Sequence, residues 1–296
     1  MLRFPVLSLL MLATTASAIF GDEPDREKLT LHMRSQVEKP AKSGEWLTIE
    51  RETTWDARAT AIVICDMWDD HYCRASARRV AEMAPRMNRV IAAARQRGVL
   101  IIHCPSGCLD KYEDTPQRRL ARQAPHVQTA VPLAGWCYLD SKHEPPLPIT
   151  DSEPCDDAAP RERVRFYTRQ HEAIEIADGD AITDNAEAFY LMKQRGITNV
   201  IVVGVHTNMC VLGRPFGIRQ MTYQGQNVTL MRDMTDSMYN PRQPPHVGHF
   251  EGNDLVIAHV ERHWCPTITS VDFLGGKPFR FAEDDRAPQV THKIGE

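Results

Sequence analysis

Runs of consecutive apolar residues constrain the fold of this chain more than any other feature of its sequence. Three such runs are rich in valine, isoleucine and leucine: residues 61–65, 99–102 and 200–203. A fourth, residues 228–231, is interrupted only by Thr229. Strands without polar alternation are buried on both faces, as in a parallel sheet that helices cover on either side. Segments with helical spacing separate the runs, for example at 76–97 and 185–195. This alternation predicts βαβ units and a three-layer α/β/α fold with a mainly parallel sheet of roughly six strands.

Two weaker runs and two further helices extend this pattern. The weaker strands are predicted at residues 164–168 and 267–269, and the helices are predicted to begin near Thr207 and near Asp254. Pro215 is expected to kink or restart the first of these helices, because proline cannot donate a backbone hydrogen bond.

These elements belong to one predicted domain, residues 59–275, in which no internal repeat is found. Residues 105–163 are rich in proline, aspartate and arginine and are predicted to form an insertion over the carboxyl edge of the sheet. A polar extension, residues 19–58, precedes the domain and contains a candidate added strand at 29–33. A tail, residues 276–296, follows it.

The first 18 residues have the pattern of a secretory signal peptide. Arg3 gives a positive start, an apolar stretch follows, and residues 16–18 form a small-residue cleavage site. We expect cleavage near Ala18 and a periplasmic or extracellular protein. No later stretch approaches the roughly 20 apolar residues of a membrane span. The net charge of −4 gives no electrostatic reason to expect nucleic acid as a partner.

Export affects how the eight cysteines are interpreted, because an oxidising compartment permits disulfide bonds. Cys104 with Cys108, and Cys137 with Cys155, are the pairs that would close short loops. Connectivity does not follow from sequence alone. The chain has no CxxC pair, so a structural zinc ribbon is not expected.

Polar residues follow each predicted strand. In strand order they are Asp66, Asp69, Asp70 and His71; His103 and Cys104; Arg169, Gln170 and His171; His206, Thr207, Asn208 and Cys210; and Asp233, Thr235 and Asp236. The carboxyl ends of parallel strands meet at one edge of the sheet, where open α/β sheets bind ligands. We therefore expect an acid, a cation and a cysteine to converge there.

Cys210 is a candidate nucleophile because it lies where a buried strand turns into a helix. The N–H groups at a helix start stabilise a thiolate and can form an oxyanion hole. Asp66 is a candidate to accept the thiol proton and return it to a leaving group. A buried structural cysteine is the alternative interpretation, and the spacing alone does not decide between the two.

Residues 61–68, AIVICDMW, and residues 199–211, NVIVVGVHTNMCV, resemble the isochorismatase-like cysteine hydrolases. That superfamily includes isochorismatases, nicotinamidases and N-carbamoylsarcosine amidohydrolases. The resemblance covers roughly 59–104 and 164–275, and it implies the Rossmann-like fold of that superfamily. It also implies a homo-oligomer, by analogy alone.

For the site, the resemblance implies Asp66 as base and Cys210 as nucleophile. It also implies a cis peptide bond between Val205 and His206 and, with Met209, backbone N–H groups directed at the substrate oxygen. The third catalytic residue of the family is a lysine at the end of the third strand, and this sequence has none there.

Arg169 is the nearest match to the missing lysine. An arginine can hold a thiolate or an oxyanion, but it cannot act as a neutral amine. Arg214 and Arg219 are further candidates to orient an anionic substrate, although surface pairing is the default interpretation. Candidate substrate contacts are Trp68, His103, His171 and, in the insertion, Trp136.

Some members of the family hold a metal through an Asp-x-His pair after the second strand, and this sequence lacks that pair. A substitute site would use Asp69, His71 and His103, which are suitable ligand types. A polar pocket rim is the more common arrangement, so no metal or other cofactor is favoured.

The sequence therefore favours a hydrolase that cleaves a small-molecule amide through a thioester formed on Cys210. One alternative is a small-molecule-binding protein of the cell envelope that has the same fold and no turnover. Another is a metal-dependent hydrolase that uses His71 and His103, in which Cys210 is structural.

Overall fold

Six parallel strands form the centre of the sheet, which confirms the predicted fold class. They are β3 (Thr60–Cys65), β4 (Leu100–Cys104), β5 (Ala181–Ile182), β6 (Asn199–Val205), β7 (Asn227–Asp236) and β8 (Thr267–Ile268). The computed structural model describes residues 27–287. The predicted signal peptide and the end of the tail lie outside this range.

A two-stranded antiparallel hairpin extends the sheet to eight strands. It consists of β1 (Lys28–Glu38) and β2 (Trp46–Asp56), and the full order is β2-β1-β8-β7-β6-β3-β4-β5. β1 is antiparallel to β8. The sequence indicated only a candidate strand at 29–33, because just the first part of β1 alternates buried with exposed residues. β2 is almost entirely exposed, so it lacks the apolar pattern of a strand.

Within residues 27–287, seven α-helices cover the two faces of the sheet. They are α1 (Arg74–Gln96), α2 (Pro116–Arg122), α3 (Glu187–Gln194), α4 (Cys210–Gly213), α5 (Ile218–Tyr223), α6 (His249–His263) and α7 (Val271–Leu274). Alternate side chains of β3 enter different apolar clusters: Ile62 and Ile64 pack with α1, whereas Ala61 and Val63 pack with α3 and α5. This alternation gives the predicted three layers. None of the helices within residues 27–287 is long and apolar enough to span a membrane.

The predicted strand at residues 164–168 is wrong. That segment is irregular, Val164 is 48% exposed, and only Gln170 makes a bridge, with Trp68. The arginines and aromatic residues of this segment stack on one another and on nearby loops. The segment therefore does not pair with a strand of the sheet. The strand beside β4 is instead the two-residue β5, which is too short to give a clear apolar run.

The disulfide bond joins Cys73 at the start of α1 to Cys155 in the insertion, with the Cα atoms 5.4 Å apart. The suggested partners Cys104, Cys108 and Cys137 are free and buried. The sequence proposal was wrong because it favoured short loops, whereas folding brings together two residues separated by 82 positions.

We expect loss of this disulfide bond to lower the free energy of unfolding by about 4 kcal/mol, because it closes a long loop in the unfolded chain. Urea unfolding with and without dithiothreitol measures the effect. The double variant Cys73→Ala/Cys155→Ala is the control and should not respond to the reductant. Equal stability of the oxidised and reduced wild-type protein would contradict the assignment.

Candidate active site

Asp66 lies at the carboxyl end of β3, where the chain leaves the sheet, and its side chain is completely buried. Its φ is 47°, uncommon for a residue other than glycine. The Ser106 N–H donates to Asp66 Oδ1 at 2.9 Å. Within the described chain, the other oxygen, Oδ2, is buried and accepts no hydrogen bond. Burial raises the pKa of Asp66 despite the opposing effects of Arg214, Cys210 and Ser106.

Cys210 is the first residue of α4 and is partly exposed, whereas the five other free cysteines are buried. Burial and the charge of Asp66 raise the pKa of its thiol, and Arg214 lowers it. The net effect is a rise, because the loss of hydration on burial is the largest of these effects. The dipole of α4 adds little, since this helix has only four residues. The resting form of Cys210 at neutral pH is therefore a thiol. This differs from the thiolate that the predicted helix start suggested.

Arg214 supplies the cation of the site. Its Nε lies 3.8 Å from Asp66 Oδ2, an ion-pair distance that is too long for a hydrogen bond. Burial alone lowers the pKa of Arg214, but the charges of Asp66 and Cys210 raise it above its ordinary value. The guanidinium lies 5.6 Å from the ring centre of Trp136. Asp66, Cys210 and Arg214 thus form one cluster, called the Asp–Cys–Arg cluster below.

The structure places Arg169 outside this cluster. Its side chain is 48% exposed, and its guanidinium lies 3.8 Å from Asp69 and 3.5 Å from Glu172. The prediction for Arg169 depends on a strand at residues 164–168, and the structure has no strand there. The strand at that position of the sheet is β5, which Thr183 and Asp184 follow.

Sequence reasoning treated Arg214 as a surface residue by default. It follows Cys210 by four positions, a spacing that brings two side chains to the same face of a helix. Pro215 ends α4 after one turn and α5 begins at Ile218, so the helix restarts as predicted. This spacing of four residues is the sequence feature that predicts the proximity of Arg214 to Cys210.

β6 brings its carboxyl end very close to β3, and Gly204 makes this possible. A Cβ on Gly204 would lie 2.0 Å from the carbonyl oxygen of Cys65, and its φ of +105° disfavours any other residue. The peptide bond between Val205 and His206, which follows directly, is cis. The parallel pairing of these strands, with Cys65 opposite Gly204, places Asp66 and the loop that leads to Cys210 side by side.

We expect Gly204→Ala to lower the free energy of unfolding by at least about 3 kcal/mol, because the backbone of β3 must move. Gly196→Ala is a matched control. Gly196 also has a positive φ, of +69°, but nothing lies within 4 Å of an added Cβ, so its cost should stay near 1 kcal/mol. Chemical denaturation measures both values, and similar costs would contradict the proposed close contact.

The backbone N–H groups near Cys210 are only partly available to a substrate. The Met209 N–H donates to the His206 carbonyl at 2.9 Å, so this predicted oxyanion donor is engaged. In the part of the chain that the structure describes, the Cys210 N–H meets no backbone carbonyl. His206 itself is buried, and its Nε2 lies 2.6 Å from the hydroxyl of Ser76.

Aromatic side chains form two walls near the cluster. The Trp68 Nε1–H donates to the Ser106 carbonyl, and its ring stacks on Tyr167 with ring centres 4.2 Å apart. On the other side, Trp136 packs against Gly213, where an added Cβ would lie 2.7 Å from its ring. A cavity of about 590 Å³ is lined on one side by Trp136 and other residues of the insertion, and on the other side by Met209. Sequence reasoning missed Tyr167 because it assigned that residue to a strand.

The structure does not bring His103 or His171 to the cluster. His103 is fully buried, its Nδ1 is 2.9 Å from Gln170, and its Nε2 is 3.1 Å from Asp180. The His171 N–H donates to the Met67 carbonyl, and its Nδ1 accepts from the Ala173 N–H. Both histidines therefore support the loops after the strands.

The residues suggested as a substitute metal site are engaged elsewhere. Asp69 accepts hydrogen bonds from the backbone and hydroxyl of Thr168, and both ring nitrogens of His103 have partners. Among residues 27–287, the set of three potential ligands that lie together is Cys73, Cys155 and Asp156. Two of these form the disulfide bond, so the set does not offer three free ligands.

Two neighbouring histidines, His71 and His206, should make stability fall as the pH falls. Burial lowers the pKa of His206 to about 3 and that of His71 to about 4, both from 6.5. The unfolded chain therefore binds protons that the folded chain does not between about pH 6.5 and 4. Each group adds a slope of up to about 1.4 kcal/mol per pH unit. Urea unfolding across this range measures it.

His206→Asn should reduce this slope by about one proton relative to the wild-type chain. The raised pKa of Asp66 acts in the opposite direction. Its contribution is present at low pH and is lost as the pH rises through its folded-state pKa. The comparison with the wild-type chain isolates His206 from this effect, and an unchanged slope in His206→Asn would contradict the prediction.

No protein-family model and no curated protein matches the chain. Its structure is similar to a cysteine hydrolase from Pseudomonas syringae pv. phaseolicola 1448A, with 14% identity, 74% of this chain and 92% of the other covered, and a TM-score of 0.46. It is also similar to an isochorismatase from Pseudomonas putida KT2440, with 12% identity, 73% of this chain and 91% of the other covered, and a TM-score of 0.44. A third similar structure is a nicotinamidase/pyrazinamidase from Bacillus subtilis, with 14% identity, 68% of this chain and 94% of the other covered, and a TM-score of 0.35. At these identities and TM-scores the likeness carries no conclusion about activity.

Proposed function

We propose that the chain is an isochorismatase-like hydrolase that cleaves a small-molecule amide through a covalent intermediate on Cys210. The observation that carries this proposal is the Asp–Cys–Arg cluster, in which the only partly exposed free cysteine of the described chain meets a buried carboxylate with an unsatisfied oxygen. A buried, unsatisfied polar atom costs stability, and its retention points to function.

In the first half of the reaction, the Cys210 sulfur attacks the amide carbonyl carbon and Asp66 accepts the thiol proton. The S–C bond forms as the carbonyl π electrons move to oxygen, which gives a tetrahedral oxyanion. Collapse of this oxyanion breaks the C–N bond, and Asp66 returns the proton to the departing amine. The raised pKa of Asp66 suits this exchange, because a base with a pKa closer to neutrality transfers protons more effectively.

In the second half, water attacks the thioester carbon while Asp66 accepts one of its protons. The S–C bond then breaks and the sulfur regains a proton from Asp66, so that an acid and an amine are the net products. Arg214 stabilises the sulfur as its charge develops, because it lies close to both Cys210 and Asp66. The free Cys210 N–H is placed to donate to the oxyanion.

A screen of small amides for release of ammonia or amine tests the proposal, with the wild-type protein and Cys210→Ala compared throughout. We expect turnover of at least one amide by the wild-type protein and none by the variant. Ligands that raise the melting temperature and are recovered unchanged, without any turnover, would instead support the non-catalytic alternative. Activity that chelation removes and Cys210→Ala retains would overturn the cysteine mechanism.

We also propose that the protein is exported. The disulfide bond between Cys73 and Cys155 supports this, because such bonds persist in oxidising compartments. Mass spectrometry of the protein from fractionated cells tests it. An N-terminus at residue 19 in the exported fraction is the expected result, and an uncleaved chain in the cytoplasm would contradict it.

A further inference from the structure

A second cavity, of about 670 Å³, lies between β7, α6 and the segment that follows α7. It shares no lining residue with the cavity beside Trp136. Its volume is typical of small-molecule sites. Three phenylalanines and three cationic residues are among those that line it: Phe250, Phe279, Phe281, Arg34, Arg232 and Lys277.

The three aromatic rings form one continuous apolar wall. The rings of Phe250 and Phe281 are stacked with centres 5.4 Å apart, and Phe279 meets Phe281 edge-on at 5.0 Å. Aromatic surfaces arranged in this way bind flat apolar groups well.

Arg232 is the unusual group of this cavity. Its Nη1 donates to the hydroxyl of Thr267 at 3.2 Å, and no carboxylate within residues 27–287 forms an ion pair with it. Burial, together with the neighbouring charge of Arg34, lowers the pKa of Arg232 to about 10. A partly buried guanidinium without an ion-pair partner lowers the stability of the fold, because its charge is desolvated without compensation. Such a group can bind an anion.

Carboxylates do line the cavity, but their hydrogen bonds are directed elsewhere. Asp233 accepts from the Ser270 N–H and hydroxyl and from the Phe279 N–H. Asp254 and Asp284 both bind Arg286, and Asp284 also binds Arg280. Glu261, Asp233 and Glu50 act on Arg232 only as charges at longer range, and none of the three forms an ion pair with it.

Four other cations line the cavity, and two of them, Arg280 and Arg286, form ion pairs with Asp284. Arg34 donates to Glu261 at 2.7 Å, so its charge is already compensated. Lys277 adds an ammonium group that has no ion-pair partner in the described chain. Arg232 and Lys277 therefore leave positive charge at one side of a cavity whose other side is aromatic.

We propose that this cavity binds a small carboxylic acid with an aromatic or similarly flat apolar body. The carboxylate would lie against Arg232, near Lys277, and the apolar body against the phenylalanine wall. An arginine binds a carboxylate through two parallel hydrogen bonds, which fixes its orientation.

Isothermal titration of the full chain with 3-phenylpropionate tests the proposal, and the neutral amide 3-phenylpropionamide is the matched ligand. We expect saturable binding of the acid and binding of the amide that is weaker by about tenfold or more, because the amide cannot form the charged pair. Equal affinity for the two ligands, or no saturable binding of the acid, would overturn the proposal.

Arg232→Met tests the assigned residue. We expect it to abolish binding of the acid and to raise the melting temperature of the ligand-free protein by roughly 2–4 °C, since an uncompensated charge is removed. Arg195→Met, at an exposed position elsewhere, should leave binding unchanged. Retained binding in Arg232→Met would overturn the proposal, and so would a lowered melting temperature, which indicates a structural role for Arg232.

Discussion

Replacing Cys210 by alanine is expected to lower the rate of amide hydrolysis by a factor of roughly 10⁴ or more, because the covalent route is lost entirely. The fold should tolerate the change, since Cys210 is partly exposed. Steady-state kinetics on an amide from the screen, with the melting temperature measured in parallel, gives both quantities.

Cys265→Ala is the matched control, because Cys265 is a buried free cysteine outside the cluster. Its rate per folded molecule should equal that of the wild-type protein. A Cys210→Ala variant with wild-type activity would remove Cys210 from the mechanism and leave it as a structural residue.

Arg214→Met is expected to lower kcat by about 10²–10³, because the cation that stabilises the developing negative charge is lost. Arg169→Met should leave kcat unchanged, since Arg169 lies on the surface beside Asp69 and Glu172. Arg214→Lys keeps a positive charge and should retain part of the activity.

The same three variants distinguish the structural assignment from the one based on sequence. If Arg169→Met lost activity and Arg214→Met retained it, the sequence-based choice would be right and the Asp–Cys–Arg cluster would not be the catalytic unit. The melting temperatures exclude misfolding as the cause of any loss.

The parallel part of the fold could be predicted because its strands are buried on both faces and are therefore continuous apolar runs. β3 and β6 follow this rule, and Asp66 and the loop that leads to Cys210 come directly after them. β5 could not be found, because two residues carry no periodicity, and β2 could not, because an exposed edge strand resembles a polar loop.

The parts of the site that depend on neighbouring positions in the sequence could be predicted. The parts that depend on contacts between distant segments could not. The buried Asp66 and the position of Cys210 after a strand follow from sequence spacing. The cation does not, because its choice depended on a strand that the chain does not form, while Arg214 was hidden in a proline-broken helix. The pairing of Cys73 with Cys155 likewise depends on how the insertion folds back.

The most direct test of the cysteine mechanism does not require the substrate. Brief, substoichiometric iodoacetamide at about pH 8, followed by mass spectrometry with peptide mapping, shows which thiol reacts first. We predict alkylation of Cys210 before any other cysteine, slower alkylation in Arg214→Met, because the group that lowers the pKa of Cys210 is lost, and an unchanged rate in Arg169→Met. Preferential labelling of another cysteine, or an unreactive Cys210 in the folded protein, would contradict the proposed mechanism.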